Sequence, residues 1–336
     1  MSASLYLGAD IGGTKIDTVL TDGAGEMLAH RRVPTPAQDG PVAVLDALVA
    51  TLSELRALAP AGRTVARAGI GTHGVVSHPE GSIAVASQAL PGWTGTPLRQ
   101  IVSERLDLPV VVDNDVNVLA YGELALGAGR GHRDLLFLTV GTGVGGAVIT
   151  DGNIVRGQHG SGGEIGHAPS SAAAGLPCSC GAVGHLDSIA SGTAIRRAYA
   201  EATHTGPGTS TGTLDRGPET SEIVVLATKG DPIARQVVTN AAHALGEAIG
   251  GLVSVLDPAL VVVAGGMASS GSIFWDPLRN AARASTLPLL RGIDIVGSHL
   301  GAAAAARGAA ALAKNETPPF TDTTETIQES SWKSVS

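Results

Sequence analysis

Two short stretches govern the reading of this chain, DIGGTK at residues 10–15 and GTGVGG at residues 141–146. Each follows an apolar run, residues 5–8 and 135–140, and each leads into a second strand-like run, residues 16–20 and 147–149. Both units end on the same turn signal, Thr21-Asp22-Gly23 and Thr150-Asp151-Gly152. Aligned in this way, Gly12, Gly13 and Thr14 fall on Gly141, Thr142 and Gly143. The pattern is that of a duplicated glycine-bent hairpin, and it predicts two similar α/β domains whose bends face a shared cleft. The boundary between them is expected after Asn117.

Outward from the hairpins, residues 41–58 have helical periodicity, residues 66–71 are strand-like, and residues 109–112 form a short β-branched strand ending at Asp113-Asn114-Asp115. Residues 232–256 read as a long Ala-rich helix stopped at Asp257-Pro258. Residues 260–263 form a strand running into Ala264-Gly265-Gly266. A last Ala-rich helix over residues 301–312 is expected to pack back between the domains and to complete the first of them. The stretch 204–221, rich in Thr, Gly and Pro, reads as an exposed loop, and residues 317–336 as a disordered tail; neither is expected to carry chemistry.

Composition sets limits. A chain of 336 residues with 43% hydrophobic side chains can bury two domain cores. The net charge of −8 leaves no basic patch suited to a phosphate backbone, so nucleic acid is not an expected partner. No charged leader precedes the first apolar run, and no stretch reaches the length of a membrane span, so a soluble, cytoplasmic protein with no membrane partner is expected. The only two cysteines, Cys178 and Cys180, are too close for an unstrained structural disulfide and suit a reduced compartment, where they read as metal ligands.

Backbone N–H groups approach a polyphosphate closely where side chains are absent, so the two bends offer facing anion nests. One cradle comprises Gly12, Gly13, Thr14 and Lys15, the other Gly141, Thr142 and Gly143. Asp10, at the end of the first strand, is placed to hold a hydrated Mg2+ near the phosphates. Taken singly, each bend is equally an ordinary hairpin turn; two equivalent bends in duplicated domains favour the phosphate reading. Transfer of a phosphoryl group to an alcohol needs a carboxylate to take the hydroxyl proton, and Asp115 is the candidate, with Asn114 beside it for neighbouring hydroxyls. The competing reading is that Asp113 and Asp115 only cap the helix that follows.

DIGGTK, GTGVGG, EIGH at 164–167, CSCGAVGH at 178–185 and AGG at 264–266 together resemble the ROK family of sugar kinases and related repressors, over roughly residues 5–312. The resemblance implies an actin-like, hexokinase-like fold of two ribonuclease-H-type domains closing over ATP and a sugar, often as a homodimer or higher homo-oligomer. It implies that the adenosine lies near Gly265 and Gly266 and that the sugar is bound by Gly74, Asn114, Asp115, Glu164, His167 and Asp187. It also implies that His167 ligates zinc as well as reaching the anomeric end of the sugar. Taken alone, His167 reads as a structural histidine.

Family members usually carry three cysteines in the metal motif, ending Gly-Cys-Leu-Glu, whereas this chain reads Gly184-His185-Leu186-Asp187. Imidazole replaces thiolate without loss as a zinc ligand, so His167, Cys178, Cys180 and His185 would complete a closed, structural Cys2His2 site. Asp187 is one methylene shorter than the usual glutamate, and Val75 stands where some N-acetylmannosamine kinases have arginine. These departures leave the reaction class intact and the sugar open. Glucose leads, with N-acetylmannosamine, N-acetylglucosamine or another aminosugar as the alternative. A sugar-responsive repressor would need a DNA-binding module ahead of DIGGTK, for which the few preceding residues leave no room. A sugar-binding regulator without turnover is the remaining reading. The absence of GxGxxG leading into a helix excludes a dinucleotide-binding dehydrogenase.

Overall fold

The computed structural model describes residues 4–203 and 217–316. The first sheet contains β1 (Leu5–Ile11), β2 (Lys15–Thr21), β3 (Met27–Pro34), β4 (Val65–Thr72) and, after the small hairpin β5 (Val75–Ser77) and β6 (Ser82–Val85), β7 (Val110–Asn114), in the order β3-β2-β1-β4-β7. The second contains β8 (Leu135–Val140), β9 (Val144–Thr150), β10 (Asn153–Ile154), β11 (Leu260–Ala264) and β12 (Ile295–Gly297), in the order β10-β9-β8-β11-β12. The two orders are the same: an antiparallel meander on one side, parallel strands on the other. The duplication predicted from the two bends is present strand for strand.

Local chemistry explains the elements. Strands β8 and β11 are continuous apolar runs because each is flanked on both sides within the sheet and buried on both faces. Strand β3, MLAHRRVP, lies at the sheet edge and is mostly exposed, which is why its sequence carries no strand-like alternation. Helix α1 (Pro41–Ala57) begins with proline at N1, where no N–H is missed. The next helix is α2 (Leu98–Leu106). In α3 (Asp115–Leu126), Asn114 is the N-cap and its Oδ1 accepts from Val116 N and Asn117 N.

The second half adds α4 (Asp187–Ala190), α5 (Gly192–Thr203), α6 (Thr220–Thr228), α7 (Pro232–Leu256), α8 (Ser272–Ser285) and α9 (Ala304–Asn315). Helix α7 is capped by Asp231, whose Oδ1 accepts from Ala234 N at 2.7 Å, and stops where Asp257 turns left-handed.

Each half has its own core, and a third apolar cluster joins them. Helix α3 leaves the last strand of the first sheet and reaches β8 and β9. Helix α9 leaves the last strand of the second sheet and packs on β1, β2 and β4. The two helices pack on each other at Gly122 and Gly308, where a Cβ on Gly122 would stand 2.8 Å from Gly308 Cα. Asn117, the expected boundary, lies in the first turn of α3, so the passage between the halves runs through this helix.

Of the two segments expected to be unstructured, residues 204–216 and 317–336 lie outside the described residues. Of the described end of the first, residues 217–219 have no regular structure, whereas residues 220–221 open α6, with Glu219 as a reciprocal capping box partner of Glu222. No helix among the described residues is long and apolar enough to cross a membrane.

Candidate functional site

The parallel strands β1, β4 and β7 end together, with Asp10 paired to Gly71 and Gly71 to Asp113, so Asp10 and the Asn114-Asp115 pair meet at one edge. In open α/β sheets that edge, at the carboxyl ends of the strands, is where ligands bind. Burial pushes the Asp10 carboxyl up to about 7, and the charges of Asp115 and Asp17 add to it against the opposing charge of Lys15. Burial likewise raises Asp115, against the charge of His73 and hydrogen bonds that favour the carboxylate. Two crowded carboxylates of this kind are a natural seat for a cation and for proton abstraction.

Asn114 is held in place from both ends: its Nδ2 donates to Gly74 O at 3.0 Å while its Oδ1 caps α3. Gly74 itself has φ +105°, a conformation that favours glycine, and passes close to Val85 O. Asp113 plays a different part. It is buried, and its Oδ2 accepts from Arg156 Nε at 2.7 Å while its Oδ1 accepts from Asn117 Nδ2 at 2.7 Å and from Asn114 N at 2.8 Å. Arg156 also reaches Glu316 Oε1 at 2.6 Å, so the link joins β10, β7 and the end of α9. Of the two carboxylates in Asp113-Asn114-Asp115, that of Asp115 has no ion pair among the described residues and lies on the edge where the strands end.

The two bends differ. In the first, Ile11 pairs with Ile16 and residues 12–15 form the turn; in the second, Val140 pairs with Val144 and three residues suffice. Lys15 lies 3.4 Å from Asp17 on the first. The second forms the floor of a cleft of about 490 Å3 whose walls include Gly192, Thr193, Arg196, Glu219, Thr220, Ser221, Gly266, Met267 and Ser270. A Cβ built on Gly141 or Gly266 would meet nothing within 4 Å, so both face open space. Gly265 instead is compelled by φ +88° and the nearby Val140 carbonyl. The walls from α5 and α6 escaped the sequence reading, because a lone Ser191-Gly192-Thr193 and a Thr-rich segment carry no distinctive spacing.

Glu164 precedes and His167 ends a single 3-10 turn, Ile165–His167, with Glu164 exposed. His167 Nδ1 lies 3.6 Å from Cys178 Sγ, and His185 Nδ1 lies 3.3 Å from Cys180 Sγ. The four ligand atoms all lie within 4.8 Å of one another. Tetrahedral zinc with ordinary Zn–S and Zn–N bonds places its N and S ligands about 3.5 Å apart, so the donor set fits the ion in both identity and spacing. Burial opposes ionisation of Cys178, but the Cys180 N–H and the His185 and Cys180 side chains outweigh it and bring the thiol down to about 7. Asp187, expected beside the sugar, has its Oδ1 on Val144 N at 2.8 Å, at the second bend.

The ROK family profile matches residues 6–316. The chain belongs to the ROK family. It is 33% identical to a glucokinase of Streptomyces coelicolor over 94% of this chain and 99% of that protein. It is 32% identical to an N-acetylmannosamine kinase of Escherichia coli O157:H7 over 92% and 98%. Among solved structures, a ROK glucokinase from Streptomyces griseus in complex with glucose and AMPPNP superposes with a TM-score of 0.75 at 33% identity, covering 93% of this chain and 100% of that one. The two matched five-stranded sheets are accordingly the ROK, actin-like fold.

Proposed function

We propose that this ROK protein transfers the γ-phosphate of MgATP to the 6-hydroxyl of a hexose, glucose foremost, with Asp115 as general base. The observation that carries the reading is the position of Asp115. It is a carboxylate with no ion pair among the described residues, at the carboxyl edge of β1, β4 and β7 and close enough to Asp10 for its charge to raise that carboxyl. In this reading Asp115 takes the proton from the sugar hydroxyl and aims its oxygen. Asn114, fixed by Gly74 and by its cap on α3, holds neighbouring hydroxyls, and Glu164 and His167 supply further sugar contacts. Asp10 holds Mg2+, which contributes charge neutralisation at the phosphates. Thr14, Lys15 and the glycines of both bends offer donors to the phosphates, and Gly265 and Gly266 admit the adenosine end.

The preference for glucose rests on the glucokinase relatives and on Val75. The relative of similar identity that phosphorylates N-acetylmannosamine supports the second reading. A coupled assay with MgATP across glucose, mannose, glucosamine, N-acetylglucosamine and N-acetylmannosamine tests both: glucose should give the highest kcat/KM. Turnover confined to the acetylated sugars would replace the first reading with the second, and ATP consumption with none of them would end both. Zinc, when bound, would be held by His167, Cys178, Cys180 and His185 as a closed structural site. One zinc per chain by plasma mass spectrometry, lost in Cys178→Ser, is expected.

A further inference from the structure

The segment that follows the last metal-motif residue is bonded to the second bend at three successive points. Asp187 Oδ1 accepts from Val144 N at 2.8 Å. Gly192 N donates to Gly141 O at 2.8 Å, and Thr193 donates to Thr142 O from both its N–H, at 3.3 Å, and its hydroxyl, at 2.9 Å. The fit is close on both sides: a Cβ on Gly143 would stand 3.2 Å from Asp187 Oδ1, and one on Gly192 would stand 2.6 Å from Gly141 O. The same segment is anchored to the metal motif, since Ser188 N donates to His185 O at 3.0 Å and Ser188 Oγ to Pro177 O at 3.0 Å. The single turn of α4 carries both Asp187 and Ser188, so the bond to the bend and the bonds to the metal motif start from adjacent residues.

We propose that Asp187 is a positioning residue for the nucleotide bend: its carboxylate fixes the Val144 N–H and thereby lets the cysteine-histidine segment set the shape of the GTG turn. The inference rests on the reading of that bend as the nucleotide floor. A carboxylate one methylene shorter than glutamate reaches less far outward, and here it closes on the backbone beside it. Bonding to an ionised acceptor is among the stronger neutral-donor hydrogen bonds, so losing it frees the turn. Asp187 acts through the bend and is no ligand of the metal set.

The test uses the full chain and the non-hydrolysed nucleotide AMPPNP with Mg2+, with binding read by calorimetry and glucose binding read separately. Asp187→Ala should weaken AMPPNP about tenfold, more than it weakens glucose, with zinc content unchanged. Asp187→Asn, whose amide oxygen still accepts, should return AMPPNP affinity to within about threefold of the parent. Hydrogen exchange at Val144 should quicken in the alanine variant and stay slow in the asparagine one, which guards against a variant that merely folds poorly. Unchanged AMPPNP affinity with weakened glucose would overturn the proposal in favour of a sugar contact, and so would equal damage by both substitutions. Failure of the parent protein itself to bind AMPPNP would instead overturn the nucleotide reading on which the proposal rests.

Discussion

The two hairpin bends stand at equivalent places in two sheets of identical strand order, yet the first has a cluster of acidic and basic side chains beside it, while the second is braced by Thr193, Gly192 and the single carboxylate of Asp187. Around the first lie Asp10, Lys15 and Asp17, the last bonded to both Arg32 and His30 at 2.8 Å. At the second, the residue before Val140 is Thr139 where the first has Asp10 before Ile11, and the turn is braced by Gly192 and Thr193 over an open cleft. Duplication has kept the backbone and divided the chemistry. In the proposed reading, Asp10 and Asp115 of the first half handle the cation and the alcohol, whereas the second half, where the Asp187 carboxylate is tied to Val144 N, accommodates the nucleotide.

The sharpest way to break this division is at Asp115. Asp115→Asn should lower kcat by about 10²- to 10⁴-fold, the usual contribution of a general base, while sugar affinity by calorimetry changes little. A variant with near-normal turnover would show that the charged half is not the chemical half.

The bends, the duplicated strands and the Asp113-Asn114-Asp115 junction were legible in the sequence because each combines a buried apolar run with residues of restricted backbone or charge. The edge strand β3 was not, since a strand exposed on its outer side has no need of alternation. Nor were Arg156 and Asp187 legible in their roles, because each acts through a contact distant in sequence: Arg156 with Asp113 and Glu316, and Asp187 with Val144. Residues 219–221 were read as part of an inert loop on composition alone, whereas a capped helix start lining the cleft is built from the same Thr and Glu.

Arg156 ties the charged half to the other. Burial alone would raise the Asp113 carboxyl, but the nearby His78 imidazole, 3.7 Å away, the Arg156 charge and the Asn117 amide hold it below the usual carboxylate range. Asp113 is 1% exposed, so Arg156→Ala leaves a buried charge without its partner and should cost about 3–5 kcal/mol in denaturant melts. A folded value below the unfolded one, about 4, stabilises above that pH and is lost as pH falls through the folded value. The acid-unfolding midpoint should therefore move upward in Arg156→Ala; a midpoint that stayed put would mean the pair does not link the halves energetically.

Smaller effects come from the helices that cross between the sheets. Gly69 lies against the backbone of α9, where a Cβ would fall well inside contact distance of Ala309 O. Gly69→Ala should push α9 away and lower stability by about 1–3 kcal/mol. Val19→Ala is buried in the same layer but opens space instead, so the pair separates close approach from lost apolar area. Equal cost with unchanged packing of α9 by hydrogen exchange would remove the close-approach argument.

The finest comparison lies in the threonines that brace each bend. Thr35 Oγ1 donates to Gly12 O at 2.7 Å on the first, and Thr193 Oγ1 donates to Thr142 O at 2.9 Å on the second. Replacing either by valine removes one neutral hydrogen bond, worth about 1 kcal/mol, or roughly fivefold in affinity where the bend meets the ligand. Thr142 O keeps the Thr193 N–H after the change, whereas the other backbone bond from Thr35 goes to a different carbonyl, that of Thr14. The KM for ATP should therefore rise more in Thr35→Val than in Thr193→Val. The reverse order would place the greater demand on the uncharged bend, and the phosphates would then depend more on the second half of the duplication than on the first.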